Sequence, residues 1–354
     1  MRIAQILQYI AGAAALIMMS GCVAQKVPEV KIVIPAAPDE PRLFFVGAYH
    51  GESTFQSGLS ALDVIIGEEN EGSFKNIRKP YGVAGYGGRI FVADTGSASV
   101  FVIDPNEKKV SYIGDQAAGK LAMPVDVAIA KEGTIYVSDV RLKRVYAYDQ
   151  NGTFKSAYGM KDEFYRPTGI AVNSNLGLLY VVDTLAHNIK IFSLSGQLVS
   201  TIGKRGEGDG EFNYPTNIAI DPRNNNVIVV DTQNFRIQIL DKDGKFLGKF
   251  GEIGDKPGTF TRPKGVGVDS EGHIYVVDAA FNNVQVFDDK GTLLLFFGSA
   301  GTTEGSFKLP AGLTLDDRDR LIISEAFTGR VQVFQYVSEE WKKTHPEEYK
   351  KLKQ

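Results

Sequence analysis

Residues 274–288 read Ile-Tyr-Val-Val-Asp-Ala-Ala-Phe-Asn-Asn-Val-Gln-Val-Phe-Asp, two β-rich runs separated by a short polar turn. Runs of Val, Ile, Tyr and Phe that are bounded by Asp and Asn predict strands. The first run recurs almost unchanged as Leu-Tyr-Val-Val-Asp at residues 179–183. A hairpin that recurs at a distance indicates a repeat architecture, so the period decides the fold.

The repeat opens on a proline, and successive prolines lie 43 to 48 residues apart: Pro80, Pro124, Pro167, Pro215, Pro263 and Pro310. Each opening leads to a third and a fourth strand, with Asn-Gly or Asp-Gly turns such as those at residues 151–152 and 243–244. Four short strands in each unit of this length predict a propeller blade. The sequence therefore predicts an all-β, six-bladed β-propeller of four-stranded antiparallel blades over residues 42–336.

An acidic residue ends the second strand of every unit: Asp94, Asp139, Asp183, Asp231, Asp278 and Glu325. Such a ring resembles a metal or acid–base array. It recurs at one spacing in all six units, however, and a carboxylate at this point can accept hydrogen bonds from the amides of the following turn. We interpret the ring as structural.

The sixth unit ends after its third strand, near residues 335–336. Residues 62–67, Leu-Asp-Val-Ile-Ile-Gly, match the missing fourth strand, so we expect an N-terminal strand to complete the last blade and remove its open edge. Residues 42–46 form another predicted strand whose position the pattern does not assign.

Residues 1–21 have the form of a signal peptide, with an apolar run from Ile10 to Met19. Ser20-Gly21-Cys22 resembles a bacterial lipobox, which implies cleavage before Cys22 and a lipid on that cysteine. The alternatives are an uncleaved anchor helix and a plain secretory signal whose cysteine carries no lipid. Residues 22–41 contain four prolines and predict an extended tether. Because Val23 is not the aspartate that signals inner-membrane retention, we expect a lipid-anchored protein of the bacterial cell envelope, with the outer membrane favoured.

The composition argues against nucleic acid as a partner and excludes an internal disulfide bond. A net charge of −3 and a pI near 5.9 provide no basic field for phosphate backbones, which argues against nucleic acid as a partner. A single cysteine forms no internal disulfide, so the fold rests on its core, and we expect a monomeric propeller. Residues 337–354 predict a helical tail that Ser338 caps and Pro346 interrupts.

Units such as residues 274–288 resemble NHL repeats, and the resemblance covers about residues 62–336. It implies the propeller fold but not one activity, since NHL-type propellers include peptide-amidating lyases, RNA-binding domains and sensor modules. The amidating lyases bind zinc through several histidines. The four histidines here, His50, His187, His273 and His345, are predicted to lie too far apart to converge.

Two units depart from the repeat at the position after the opening proline where the other four have glycine. They have Asp126 and Asn217, which we expect at the mouth of the central channel beside Thr216 and Lys264. Carboxylate and amide oxygens suit Ca²⁺, as in gluconolactonase-like propellers, so Ca²⁺ is the one cofactor left open. The alternative is a hydrated polar channel without a metal.

The turns after the second strands carry an aromatic set in units 4 to 6 and a basic set in units 2 and 3: Phe235, Phe281 and Phe327, with Arg141, Lys143 and His187. Aromatic residues and arginine are enriched in protein interfaces, whereas the alternative is that each Phe packs under a neighbouring loop. We therefore favour a lipid-anchored binding or scaffold propeller that engages an envelope protein or a small ligand through its loop face. A metal-dependent lyase or lactonase at the channel mouth is the alternative, and catalytic activity is left open.

Overall fold

The computed structural model describes residues 32–55, 74–116, 118–160 and 162–353. The described residues from Ile32 onward belong to one compact unit. The predicted signal peptide, Cys22 and the predicted strand at residues 62–67 lie outside the described residues. Within the described ranges, neither helix has the length and apolar character of a membrane span.

The described residues form 25 strands. In chain order they are β1 (Val33–Ile34), β2 (Leu43–Tyr49), β3 (Pro80–Tyr86), β4 (Arg89–Asp94), β5 (Ser99–Asp104), β6 (Lys109–Ile113), β7 (Pro124–Ile129), β8 (Ile135–Asp139), β9 (Arg144–Tyr148), β10 (Phe154–Tyr158), β11 (Pro167–Asn173), β12 (Leu178–Asp183), β13 (Asn188–Ser193), β14 (Leu198–Ile202), β15 (Asn217–Ile220), β16 (Val227–Asp231), β17 (Arg236–Leu240), β18 (Phe246–Phe250), β19 (Pro263–Val268), β20 (Ile274–Asp278), β21 (Asn283–Phe287), β22 (Leu293–Phe297), β23 (Pro310–Leu315), β24 (Arg320–Glu325) and β25 (Arg330–Tyr336). Short 3₁₀ turns at Glu52–Phe55 and Thr232–Asn234 complete the propeller.

Six antiparallel sheets form the blades, and the predicted fold is confirmed. Blades 1 to 5 are β3–β6, β7–β10, β11–β14, β15–β18 and β19–β22, each with its first strand on the inside. Blade 6 contains β23, β24, β25, β2 and β1, in that order from the inside outward. The first strands of neighbouring blades contact one another around the whole ring, and they surround a central channel.

An N-terminal strand closes the ring, as predicted, but it is β2. The strand pairs antiparallel with β25, from Leu43 opposite Tyr336 to Tyr49 opposite Val331. Leu43 is fully buried, and the ring of Phe45 lies 5.5 Å from that of Phe334. Two N-terminal segments have strand-like sequences, and this packing against blade 6 identifies residues 43–49 as the closing strand.

Buried aliphatic and aromatic side chains fill the wedges between adjacent blades. One cluster joins blade 6 to blade 1, with Ile322 and Val333 packed against Val92 and Phe101. Full burial of such a side chain contributes about 1.5–3 kcal/mol. Because the wedges are continuous around the ring, the first and last blades are held as firmly as sequential neighbours.

The loops that join the blades each place one buried apolar side chain between two blades. In three of these loops the residue is Phe212, Phe260 or Phe307, and each is fully buried. Phe212 packs directly on Gly203, whose φ is 82° and whose position a Cβ atom would fill against the ring. This contact explains why the fourth strands end in an apolar residue followed by glycine.

The two ends of the chain meet on the outer side of blade 6. Helices α1 (Glu339–Thr344) and α2 (Pro346–Leu352) follow the last strand, and Ser338 Oγ accepts a hydrogen bond from Trp341 N at 3.2 Å. The Trp341 ring packs 5.3 Å from Phe44. Part of the predicted tether is also propeller, because β1 pairs with β2.

Candidate functional site

The central channel opens on two faces. We call the face on which the inner strands begin the upper face; it consists of the loops that join the blades and the turns between second and third strands. The upper mouth is a cavity of about 520 Å³ that the first residues of the inner strands surround. The lower mouth, where the inner strands end, has a similar volume of about 520 Å³.

Four cationic side chains line the upper mouth: Lys79, Arg166, Arg262 and Lys264. Across the described ranges, none of these four side chains makes a hydrogen bond or an ion pair. Burial, together with repulsion from Arg262 and Arg166, lowers the pKa of Lys264. The mouth is therefore a concentration of positive charge that no described side chain neutralises, although the net charge of the whole chain is negative.

The ring of buried carboxylates positions three of these cations, and Asp94 accepts a hydrogen bond from Lys79 N at 2.5 Å. Asp183 accepts hydrogen bonds from Tyr165 N at 2.9 Å and from Arg166 N at 2.8 Å. Asp278 does the same for Arg262 N at 3.0 Å. All six acidic residues of the ring are fully buried, and each accepts a hydrogen bond from a backbone amide of the loop before its blade, so they are structural. Asp94, Asp139 and Asp278 also accept hydrogen bonds from amides of the turn that follows. They fix the backbone that carries the cations of the mouth.

The waist of the channel is formed by Asp126 and Asn217, which line both cavities. Asp126 Oδ1 accepts a hydrogen bond from Val127 N at 2.9 Å, and Oδ2 accepts one from Ile170 N in blade 3 at 2.9 Å. Burial raises the pKa of Asp126 to about 7, although these two hydrogen bonds lower it. The carboxyl group therefore titrates near neutral pH without a cationic partner.

Asn217 bridges blades 4 and 5 in a similar way, since its Oδ1 accepts a hydrogen bond from Val266 N at 3.4 Å. Glycine is required beside Asp126: a Cβ atom on Gly82 would overlap with the Asp126 carboxylate. The departures from glycine in blades 2 and 4 thus serve as links between neighbouring inner strands, and they also give the waist its polar groups.

Two charged residues of the lower mouth, Lys131 and Asp316, have polar partners. Lys131 Nζ donates to Asn175 Oδ1 at 2.7 Å, and Asp316 Oδ2 lies 2.6 Å from a guanidinium nitrogen of Arg320. The walls between them are mostly aliphatic. Unpaired cations therefore distinguish the upper mouth from the lower mouth.

The structure places Asp126, Asn217 and Lys264 together in the upper mouth, beside Thr216. A metal site is a different matter. In the part of the chain that the structure describes, no group of three or more His, Cys, Asp or Glu side chains is arranged to hold a metal ion. Each oxygen of Asp126 accepts one backbone hydrogen bond, and these two bonds hold the carboxyl group between the inner strands of blades 2 and 3.

The structure separates the loop residues that the sequence groups together. Phe327 is 59% exposed, with Lys308 Nζ 3.8 Å from its ring centre, whereas Phe235 and Phe281 are half-buried. His187 is buried: its ring packs 4.4 Å from Tyr214, and its Nδ1 accepts a hydrogen bond from Tyr214 N at 3.2 Å. Packing between loops therefore explains His187.

The remaining two residues of that group, Arg141 and Lys143, are exposed on the upper face. Sequence reasoning missed Lys79, Arg166 and Arg262 as members of the mouth. The signal is present, because in three of the six openings a basic residue directly precedes the proline. The prolines begin the inner strands, so the preceding residues lie at the rim of the channel.

A family model described as an NHL repeat matches residues 260–287, and one described as a 6-bladed β-propeller matches residues 169–237. The matched segments lie within blades 3 to 5 of the ring. The chain is a six-bladed β-propeller with NHL-type repeats. The family models match single segments of the chain, and the similarity to whole proteins is lower.

Over 129 residues, this NHL-type propeller is 29% identical to a gluconolactonase of Zymomonas mobilis subsp. mobilis; the match covers 32% of this chain and 36% of the relative. The chain thus spans about a third of that curated relative. Its fold is similar to that of a gluconolactonase from Xanthomonas campestris, at 17% identity and a TM-score of 0.57, covering 86% of this chain and 97% of the other.

Two further solved structures share the fold. An auxiliary nutrient binding protein from Bacteroides thetaiotaomicron is 14% identical with a TM-score of 0.58, covering 74% of this chain and 70% of the other. A virginiamycin B lyase from Staphylococcus aureus is 14% identical with a TM-score of 0.54, covering 73% of this chain and 94% of the other. Structural similarity at identities this low shows that these proteins share the propeller fold, and it shows nothing about activity.

Proposed function

We propose that this NHL-type propeller is a binding protein whose upper mouth takes an anionic group of its ligand. The unpaired cations Lys79, Arg166, Arg262 and Lys264 support this function. Repulsion among like charges at a partly desolvated site is unfavourable, and a bound anion offsets it because the anion attracts each of the cations. A carboxylate or phosphate between Arg166 and Arg262 also meets two planar donors, which suit bidentate binding.

Isothermal titration of the full mature chain with citrate tests the proposal, because citrate carries several carboxylates and fits a mouth of about 520 Å³. Hydrogen bonds to charged groups contribute about 1.5–3 kcal/mol each, so Lys264→Met should weaken citrate binding roughly ten- to hundredfold. The unliganded variant should be no less stable, because the substitution removes repulsion from Arg262 and Arg166.

The matched control is Lys155→Met, since Lys155 is exposed on the outer strand β10. It should leave citrate affinity unchanged. Glycerol, an uncharged polyol, should not bind. Equal citrate affinities for the wild type and Lys264→Met would place the ligand elsewhere and refute the proposal.

A metal-dependent lyase or lactonase at the same mouth is the second candidate. The match to a gluconolactonase and the position of Asp126 at the waist favour it. Metal analysis of the purified chain separates the candidates. Stoichiometric Ca²⁺ or Zn²⁺ that is lost on Asp126→Ala would support the enzyme, whereas metal-free protein that still binds citrate would support the binding function.

We also propose that a lipid on Cys22 holds the propeller in the cell envelope, at the outer membrane. If so, the packing of the chain on blade 6 from Ile32 onward leaves residues 22–31 between lipid and propeller. Ten residues reach at most about 35 Å, so any partner must lie close to the membrane. Labelling with radioactive palmitate should mark the wild type and not Cys22→Ala. Equal labelling of the two would refute the proposal that Cys22 carries the lipid.

A further inference from the structure

Exposed large apolar side chains are unevenly distributed between the two faces of the propeller. The described loops and turns of the upper face carry nine of them. Phe74, Met160 and Ile253 lie farther along the blade-joining loops. The other six lie in turns between second and third strands or within two residues of the proline that opens a unit: Leu142, Tyr165, Leu185, Tyr214, Leu309 and Phe327. We call these six residues the apolar ring. Among the described residues in the turns of the lower face, one large apolar side chain, Leu176, is comparably exposed.

The apolar ring adjoins the cationic mouth directly along the chain. Tyr165 precedes Arg166, and Leu185 follows Thr184, which also lines the mouth. The two most exposed residues of the apolar ring are aromatic, with Tyr165 63% exposed and Phe327 59% exposed. An exposed apolar surface with a charged centre on one face is typical of a protein interaction site.

Two residues of the ring have an unfavourable backbone conformation. Tyr214 has a φ of 49° and Leu309 a φ of 52°, in the left-handed region that residues other than glycine rarely adopt. Each is fixed by a hydrogen bond from its backbone N, to His187 Nδ1 at 3.2 Å and to Asn282 Oδ1 at 2.8 Å. The fold therefore presents these side chains in a rigid form, which lowers the entropic cost of docking.

We propose that the upper face docks an acidic segment of a second protein, with acidic side chains in the mouth and flanking apolar side chains on the apolar ring. This inference rests on the proposed function, since it assigns the source of the anionic group. A small anion would fill the mouth and leave the apolar ring in water. A protein segment neutralises the cations and covers the ring together.

Selection from a phage-displayed library of random twelve-residue peptides on the full mature chain tests the inference. We expect recovered peptides to carry Asp or Glu at the centre and Leu, Phe or Trp beside them. The best synthetic peptide should bind at least tenfold more tightly than its version with glycine flanks, and at least tenfold more tightly than its version with Gln for Glu.

A triple variant, Tyr165→Ser, Leu185→Ser and Phe327→Ser, should lose the advantage of apolar flanks while its citrate affinity stays unchanged. Leu176→Ser on the lower face is the matched control and should bind the peptide normally. The outcomes also separate the two proposals. If the wild type binds no citrate, the anion site itself is refuted. Citrate binding without peptide enrichment, or with flanks that make no difference, overturns only the docking of a protein segment.

Discussion

The variant Asp126→Asn should be less stable than the wild type at acidic pH and more stable than the wild type at alkaline pH. The Asp126 side chain is 6% exposed, and burial raises its pKa from 3.8 to about 7. In the unfolded chain the carboxyl group ionises near its ordinary value. Folding therefore favours the protonated form, and the wild type loses stability as the pH rises from about 4 to about 7.

A pKa of about 7 in place of 3.8 corresponds to about 4 kcal/mol, because each tenfold change in an ionisation constant is about 1.4 kcal/mol. About 1 kcal/mol of this is already lost at pH 4.5, so about 3 kcal/mol remains between pH 4.5 and pH 8. Asn does not ionise but keeps only one acceptor oxygen for the amides of Val127 and Ile170. The lost hydrogen bond should make the variant about 1 kcal/mol less stable than a protonated wild type.

Urea unfolding followed by far-UV circular dichroism at several pH values measures this difference. Trp341 fluorescence is unsuitable, because its ring packs on Phe44 at the rim and reports on the tail. Relative to the wild type, Asp126→Asn should gain about 3 kcal/mol between pH 4.5 and pH 8. Asp289→Asn, at an exposed acid, should show no such gain. Parallel stability curves for the wild type and Asp126→Asn would show that Asp126 is not a desolvated carboxyl group.

Two further substitutions test how blade 6 is held. Arg330→Met should destabilise the chain by about 3–5 kcal/mol in urea unfolding, because it leaves the buried Glu325 carboxylate without its cation. Arg144→Met, at the matching position of blade 2 and without an ion pair there, should cost less than about 1 kcal/mol, and equal losses would contradict the reasoning. Leu43→Ala in the closing strand should cost about 2–5 kcal/mol because Leu43 is fully buried. If exposed Val46→Ala lowered the unfolding free energy as much, the closing strand would not be held by its core contacts.

The sequence predicted the number of blades because each blade is written with the same local signals. The opening proline, the acidic end of the second strand and the glycine after the fourth strand each answer a local geometric need. Asp278 shows this, since it receives hydrogen bonds from Ala280 N and from Arg262 N, within one blade and its approach loop. A signal read from neighbouring residues recurs with the repeat and identifies it.

The candidate site was only partly predictable. Asp126 and Asn217 stood out because they replace glycine in a repeat. His187 has the sequence position of a surface residue, yet the loop before blade 4 buries it under Tyr214. The choice between residues 43–49 and 62–67 as the closing strand likewise depends on contacts with blade 6 that are distant in sequence.

An all-β ring of six repeated blades follows from the sequence alone, because strand pattern, turn residues and caps are local properties that a repeat displays several times. The packing of the folded chain brings Lys79, Arg166, Arg262 and Lys264 to one mouth, where their side chains have no partner among the described residues. Residues nearly 200 positions apart become neighbours there, since closing a ring brings the start of every inner strand to one end of the same channel. Whether a charge is paired depends on that arrangement, and the order of the residues along the chain does not specify it.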